Sequence, residues 1–351
     1  EELSGRIRIR RYRVSFPRSR ILFGLVHRLV TPFLLRSFSF CPLWLRKILR
    51  YGQSRAEWLW LILQGPYVPS LIRDLHLNQH LYRKIYFFTW LYYPSRAGIL
   101  GLEHKSVLIP TAHDEKPFWF PSVPDFFKSV SAILVNSPAE KRLIRSLPGC
   151  QQLLCRQAGV GPGEAFLQQA DDFPSPEHLP EKYLCFLGRL TGGKGLHTLC
   201  EYFIRYLESS GEDELFLVLA GFRDKNLKLP VHSHILVMPP VSESEKLSLL
   251  RGCLAVVNPS HYESLSLLIM EALLLRKPAI VNGANPVLAD YAKQHRSVQS
   301  FHDPDSFQDS LQFFRSAEWL DQSEHLLTLA RKWVLSEYSW DKILNVFDES
   351  L

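Results

Sequence analysis

The chain has 351 residues, of which 46% are hydrophobic and 22% charged, and a formal net charge of +6. That length leaves room for two domains, each with its own core, and the composition excludes a collagen-like or low-complexity chain. No uninterrupted apolar run reaches about 18 residues, so no transmembrane helix is expected, and no cleavable signal peptide is evident at the start. Six cysteines (Cys41, Cys150, Cys155, Cys185, Cys200 and Cys253) show neither a Cys-x-x-Cys pair nor zinc spacing. Most lie in apolar runs, which predicts buried, reduced thiols and a cytoplasmic protein. The charge is uneven: 13 lysines and arginines against Glu1 and Glu2 give residues 1–55 a balance of +11, leaving −5 for the remainder. A basic amino-terminal segment on a mildly acidic body points to an anionic partner for one face.

Arg6 to Val14 alternates basic and apolar residues, the period of a strand with one exposed face. Ile21 to Tyr51 is apolar, aromatic and arginine-rich, and Pro32 and Pro42 divide it into short helical pieces. Two readings are open for it. It is a surface that lies on anionic lipid, with apolar side chains inserted and arginines on headgroups, or it is a helix pair covering a sheet. No recognisable nucleic-acid module accompanies the charge, so nucleic acid is not an expected partner. Trp58 to Leu63 reads as helix, and Ser70 as the cap of a helix from Leu71. Strands over Lys84–Trp90, Val107–His113 and Val130–Asn136 alternate with helices, the pattern of a parallel α/β sheet. After the third strand, Ser137-Pro-Ala-Glu140 has a capping serine, a first-turn proline and a glutamate three residues on, which predicts a capping box.

Gly159-Val-Gly-Pro-Gly163 closes this half, and the polar, proline-rich residues 169–182 read as a linker. A second α/β set follows, with strands Tyr183–Leu187, Leu215–Gly221, His234–Met238, Leu254–Asn258 and one opening at Ala279. Helices start at Leu196 and Ser242, and a last helical segment begins at Ser336. Between the fourth and fifth of these strands, Pro259 and Ser260 to Glu263 form a loop. Leu265, Leu268 and Ala272 then share one face of a helix running to about Leu275. The backbone N–H groups of Ser264, Leu265 and Ser266 are expected at this helix start, where anions such as phosphates bind. Glu263 and Glu271 stand eight residues apart, roughly 12 Å at a helical rise. That suits one carboxylate near each end of a nucleotide sugar. Alone, two glutamates on an amphipathic helix would be ordinary solvated residues.

The whole pattern says more. Pro-Ser-x-x-Glu263-Ser, with seven residues between Glu263 and Glu271, then Glu271-Ala-Leu and Lys-Pro-Ala-Ile-Val281, resembles the donor-binding signature of retaining GT-B glycosyltransferases, specifically glycosyltransferase family 4. Phe186-Leu-Gly188-Arg189-Leu-Thr-Gly-Gly-Lys194-Gly195 is similar to the family's diphosphate-holding element, with two cations on a glycine-rich turn. Leu219-Ala-Gly221 matches the family's strand and glycine turn near the base. Pro110-Thr-Ala-His113 resembles the first-domain segment whose histidine reaches the transferred sugar.

The resemblance, clearest in the second half, implies a GT-B fold: two Rossmann-like α/β domains facing across a cleft. Residues 1–168 would form the acceptor-side domain and 169–182 the linker. Residues 183–335 would form the nucleotide-sugar domain, and 336–351 a helix crossing back. It implies sugar transfer from a nucleotide-sugar donor to a hydroxyl of a glycan, glycolipid or other acceptor, with retention and without metal or other cofactor. Catalytic roles fall to His113 and Glu263. Donor binding falls to Gly188, Arg189, Lys194, Gly221, Ser264, Leu265, Ser266 and Glu271. Asp303-Pro-Asp305 precedes a helix and is expected to cap it rather than hold metal. Two departures count against the match. The hydrophobic strand and glycine-rich loop that normally open the first domain are absent before Gly52, so either the sequence is truncated or the protein lacks that loop. Ser266 stands where a glycine is usual, adding a side chain beside the phosphates. The alternatives are an inactive GT-B-like protein that binds a nucleotide or membrane, and, among enzymes, a sugar-nucleotide epimerase of the same fold. The expected location is the cytoplasm, at the inner face of the membrane if the basic segment docks there.

Overall fold

A computed structural model of the chain describes residues 2–4, 7–167 and 179–349. It divides into two compact units, Glu1–Gln157 with Val346–Leu351, and Ala158–Asn345. The division falls at Gln157, ahead of the boundary expected at 168. Most of the expected linker lies outside the described residues, and its last member, Lys182, already belongs to a strand.

The first unit opens with a short antiparallel pair, β1 (Glu2–Ser4) and β2 (Ile7–Ile9). Residues 10–14 form no strand, which shortens the element expected from Arg6 to Val14; Arg6 itself lies outside the described residues. Two long helices follow, Arg20–Leu34 and Leu43–Gln64. Pro32 does not break the first. It sits in its last turn, where the missing N–H leaves only one carbonyl near the exposed surface without a helical partner. Buried Gln53 closes that helix instead, its Nε2 donating to the carbonyls of Phe33, Leu34 and Arg36 at 3.0, 3.3 and 3.0 Å. Pro42 is the residue before the second helix, which takes in the piece expected at Trp58–Leu63. The next helix spans Pro69–Asn78 and starts after Val68, so Ser70 lies inside it rather than capping it.

Strands β3 (Ile85–Phe88), β4 (Ser106–Ile109), β5 (Ala132–Val135) and β6 (Cys155–Gln157) make a parallel sheet in sequence order. The core beneath them is aromatic, with Trp60, Trp90, Phe118, Phe120 and Phe127 buried. In the second unit, β7 (Lys182–Leu187), β8 (Leu215–Ala220), β9 (Ile235–Met238), β10 (Ala255–Asn258), β11 (Ala279–Asn282) and β12 (Val298–Phe301) are all parallel. Their spatial order is β12-β11-β10-β7-β8-β9. Near-continuous apolar strands such as Leu215–Ala220 suit a sheet buried on both faces. The chain runs outward from β7 to β9 and then returns to lay β10 on the other side of β7. That reversal opens a crevice beyond the carboxyl ends of β7 and β10, where ligands of doubly wound sheets bind. The chain ends in helices Ala317–Glu337 and Trp340–Asp348, so the last helix starts at Trp340 and Ser336 completes the one before it.

Candidate active site

The loop after β7, residues 188–195, and the loop after β10, residues 259–266, flank the crevice of the second unit. Backbone contact fixes both. Gly221, just after β8, has φ +145°, and a Cβ there would stand 1.8 Å from the Gly188 carbonyl oxygen. Gly195 has φ +68°, and its Cβ would stand 2.2 Å from the Pro259 carbonyl oxygen. Only glycine lets these strands and loops approach so closely.

Two lysine–glutamate pairs line this end of the sheet. Lys194 Nζ donates to Glu263 Oε1 at 2.7 Å, and Lys246 Nζ donates to Glu271 Oε1 at 2.6 Å. Lys194, expected to face a diphosphate, pairs with one of the two signature glutamates. Arg189 is exposed on the same loop. Burial raises the Glu271 carboxyl above the ordinary glutamate range, and the Lys246 ammonium opposes that rise.

The helix after the loop is Leu267–Leu274, shorter at its start than expected. Ser266 is its N-cap, and Ser264 and Leu265 lie in the preceding loop rather than in the first turn. Ser266 takes the left-handed conformation, φ +69°. Its hydroxyl accepts from Asn258 Nδ2 at 2.9 Å, inside the protein. The same Asn258 amide reaches Glu263 Oε1 at 3.4 Å, and its carbonyl oxygen accepts from Ser260 N–H at 3.0 Å. Asn258 thus ties the loop together from the end of β10. Asp303 caps the Pro304–Phe313 helix in a capping box with Ser306. Among the described residues, no group of three or more His, Cys, Asp or Glu side chains could hold a metal ion.

His113 belongs to the first unit, four residues beyond the end of β4. The chain reaches it through Thr111, whose φ of +50° is unusual for a β-branched residue. The segment is fastened by Glu140. This glutamate does not close the expected capping box: Ser137 Oγ accepts from its N–H at 3.2 Å, but its carboxylate accepts from the N–H of Asn136 at 2.6 Å and from that of Ala112. Full burial pushes Glu140 up to about 8, against those two hydrogen bonds. Burial also raises Glu115, while exposed Asp114 accepts from Trp119 Nε1 at 2.8 Å.

Sequence reasoning missed Lys246, Asn258 and Glu140 as parts of these sites. Lys246 had a local signal, the capping box of Ser242 and Glu245, which places it in the first turns of a helix. Its partner is 25 residues away, so only the fold reveals the pair. Asn258 was visible as a polar residue ending an apolar strand.

The order of the second sheet, the crevice and the pair of parallel α/β units define the protein's class: the GT-B fold. The comparisons agree. Residues 168–333 match the family model described as glycosyl transferases group 1. Over 171 residues the chain is 26% identical to the uncharacterized glycosyltransferase MJ1607 of Methanocaldococcus jannaschii, covering 46% of this chain and 43% of that protein. The match therefore spans less than half of that relative's length. Among solved structures, the alpha,alpha-trehalose-phosphate synthase (UDP-forming) of Burkholderia vietnamiensis superposes with a TM-score of 0.63 at 11% identity, covering 84% of this chain and 76% of that one. An E. coli trehalose-6-phosphate structure bound with UDP-2-fluoro glucose gives 0.65 at 8% identity, covering 84% and 78%. The sucrose-phosphate synthase of Thermosynechococcus elongatus gives 0.58 at 16%, covering 80% and 76%. At these identities the structural likeness concerns the fold.

Proposed function

We propose that this protein is a retaining glycosyltransferase of family 4 that moves a sugar from a nucleotide-sugar donor to an acceptor hydroxyl, without metal, in the synthesis of a cell-surface glycan or glycolipid. The observation that carries the reading is the pair of signature glutamates, each held by a lysine, beyond the carboxyl ends of β7 and β10. Arg189 and Lys194 stabilise the departing diphosphate electrostatically. Glu271 takes the ribose hydroxyls. Glu263 and His113 contact the transferred sugar. Calorimetry with UDP, GDP and ADP, each in EDTA, tests the binding half. At least one is expected to bind, and binding by none of them to folded protein overturns the reading. Binding without transfer to any acceptor would instead favour an inactive nucleotide-binding protein.

A second observation supports docking on anionic membrane at the cytoplasmic face. No described helix is long and apolar enough to cross a membrane, yet both long amino-terminal helices are apolar on their outer faces. Ile21 (88% exposed), Leu25 and Leu29 line one, and Trp44, Ile48 and Tyr51 line the other, with Phe40 fully exposed between them. Arg28, Lys47, Arg50 and Arg55 are exposed on the same helices, a mixture suited to lipid tails and anionic headgroups. Co-sedimentation with liposomes should rise with anionic lipid and fall with salt. Equal binding to neutral vesicles would remove the electrostatic part.

A further inference from the structure

Burial favours the neutral form of a carboxyl group. The vicinal hydroxyls of a ribose are held best by a carboxylate with both oxygens accepting, because a protonated carboxyl offers one donor and a weaker acceptor. A buried glutamate that takes such a diol therefore needs a cation beside it. Lys246 is that cation for Glu271. Their side chains are 22% and 12% exposed, and the ammonium lies 2.6 Å from Oε1, leaving Oε2 outside the contact.

Lys246 comes from a separate element, the Glu243–Gly252 helix, whose start is fixed by the capping box of Ser242 and Glu245. Its Nζ also lies 4.8 Å from the ring centroid of buried Phe166 and 3.8 Å from Glu243. The charged surroundings of Glu271 are few. Glu243 acts against Lys246. Glu164 stands on the short Glu164–Leu167 helix that packs against the Leu267–Leu274 helix. Arg331, on the Ala317–Glu337 helix, donates to the Leu274 carbonyl at the far end. Strands β10 and β11 bring no charged residue.

We propose that Lys246 is a positioning residue of the donor site: paired with one oxygen of Glu271, it keeps that carboxylate ionised and aimed, and so sets the lower pH limit of nucleotide binding. This rests on the reading that Glu271 takes the ribose. Without Lys246, the influence that opposes burial is gone while Glu243 remains. Glu271 then takes up its proton at a higher pH than in wild type, and nucleotide affinity falls as pH falls.

The test is calorimetry on the full chain from about pH 6 to about pH 9. Wild type, Lys246→Met and Lys246→Arg are each titrated with UDP, GDP, ADP and inorganic pyrophosphate. In Lys246→Met the best nucleoside diphosphate should bind about tenfold more weakly at the acid end and recover toward the alkaline end. Lys246→Arg should follow wild type. Pyrophosphate, which has no ribose, should change by less than about twofold in either variant, which also shows the site to be folded. Nucleotide affinity in Lys246→Met within about twofold of wild type at every pH would overturn the proposal, as would a loss independent of pH. Loss of pyrophosphate binding alongside it would mark Lys246 as a structural support and overturn it too. If wild type binds none of the three nucleotides, the donor-site reading itself fails, an outcome distinct from any of these.

Discussion

In the second unit the candidate site is assembled by close backbone approach: Gly221 against Gly188, and Gly195 against Pro259. In the first unit the segment bearing His113 and the helices around it are held by buried ionisable side chains. Arg96 donates to Glu57 at 2.9 Å with both side chains under a tenth exposed, Ser122 joins the pair, and Glu140 fastens the Ala112 and Asn136 amides. A backbone frame held by glycines tolerates no added carbon, and its own close contacts carry no titratable group. A site held by buried carboxylates tolerates small changes of shape but responds to pH and to loss of either partner. The two units should therefore fail in different ways.

The largest effect should come from Gly221→Val. Its Cβ cannot occupy the 1.8 Å left beside the Gly188 carbonyl, and its φ of +145° is hostile to a β-branched residue. The expected cost is roughly 4 kcal/mol or more, read as lost hydrogen-exchange protection in β7 and β8 while β3 and β4 keep theirs. Uniform loss in both sheets would break the comparison. Next is Glu57→Ala, which leaves the Arg96 guanidinium buried without its anion and should cost about 3–5 kcal/mol. Here protection should fall in the first unit alone.

Glu140 sharpens the contrast through pH. Its carboxyl is raised to about 8 in the folded protein from the ordinary glutamate value of 4.5. The folded state thus holds this proton more tightly than the unfolded chain. The resulting stability is fully present below about pH 4.5 and is lost as pH rises through about 8. Glu140→Gln should flatten that decline, measured as thermal midpoints across the window. A wild-type profile unchanged by the substitution would show that the carboxyl titrates normally.

The same contrast explains what could be read in advance. The donor loops are legible because backbone constraint is written locally: Gly188, Gly195 and Gly221 stand within strand-turn patterns, and Glu263 and Glu271 at fixed spacing around a loop and helix. The expected strands of the second sheet all exist, with ends shifted by at most one residue. β12 was not anticipated, since Val298-Gln-Ser-Phe301 is short and half polar. In the first unit, partners lie far apart in sequence, Glu57 from Arg96 and Glu140 from Ala112, and no local period records them. Glu140 shows the limit well. Its spacing from Ser137 satisfies the capping-box rule, and tertiary structure diverts its carboxylate to another strand's exit. Pro32 shows another: a helix breaker is harmless where its position near the end removes only one bond.

Smaller effects are expected within the donor site. Glu271→Gln should weaken nucleoside diphosphate binding by about 1.5–3 kcal/mol, the range for a hydrogen bond to a charged group. Glu263→Gln should leave that affinity nearly unchanged and slow transfer, because its partner is the sugar as the bond breaks. His113→Ala should behave like Glu263→Gln. Nucleotide affinity lost on changing Glu263 and retained on changing Glu271 would reverse the assignment.

The smallest effect should belong to Ser266→Gly, although it alters the residue at the helix start. Ser266 holds φ +69°, a conformation that costs a non-glycine residue roughly 1–2 kcal/mol. Glycine would remove that strain. It would also remove the hydroxyl that accepts from Asn258 Nδ2 at 2.9 Å, a bond worth about 0.5–1.5 kcal/mol. The two contributions nearly cancel, so stability should change by less than about 1 kcal/mol. Nucleotide affinity should hold as well, because the hydroxyl faces Asn258, which is almost fully buried, and not the crevice. Chemical denaturation and calorimetry on the one variant check both halves. A clear gain in affinity would mean that the serine side chain turns toward the phosphates when ligand binds. The departure from glycine would then be a brake on the site rather than a second way of building the same turn.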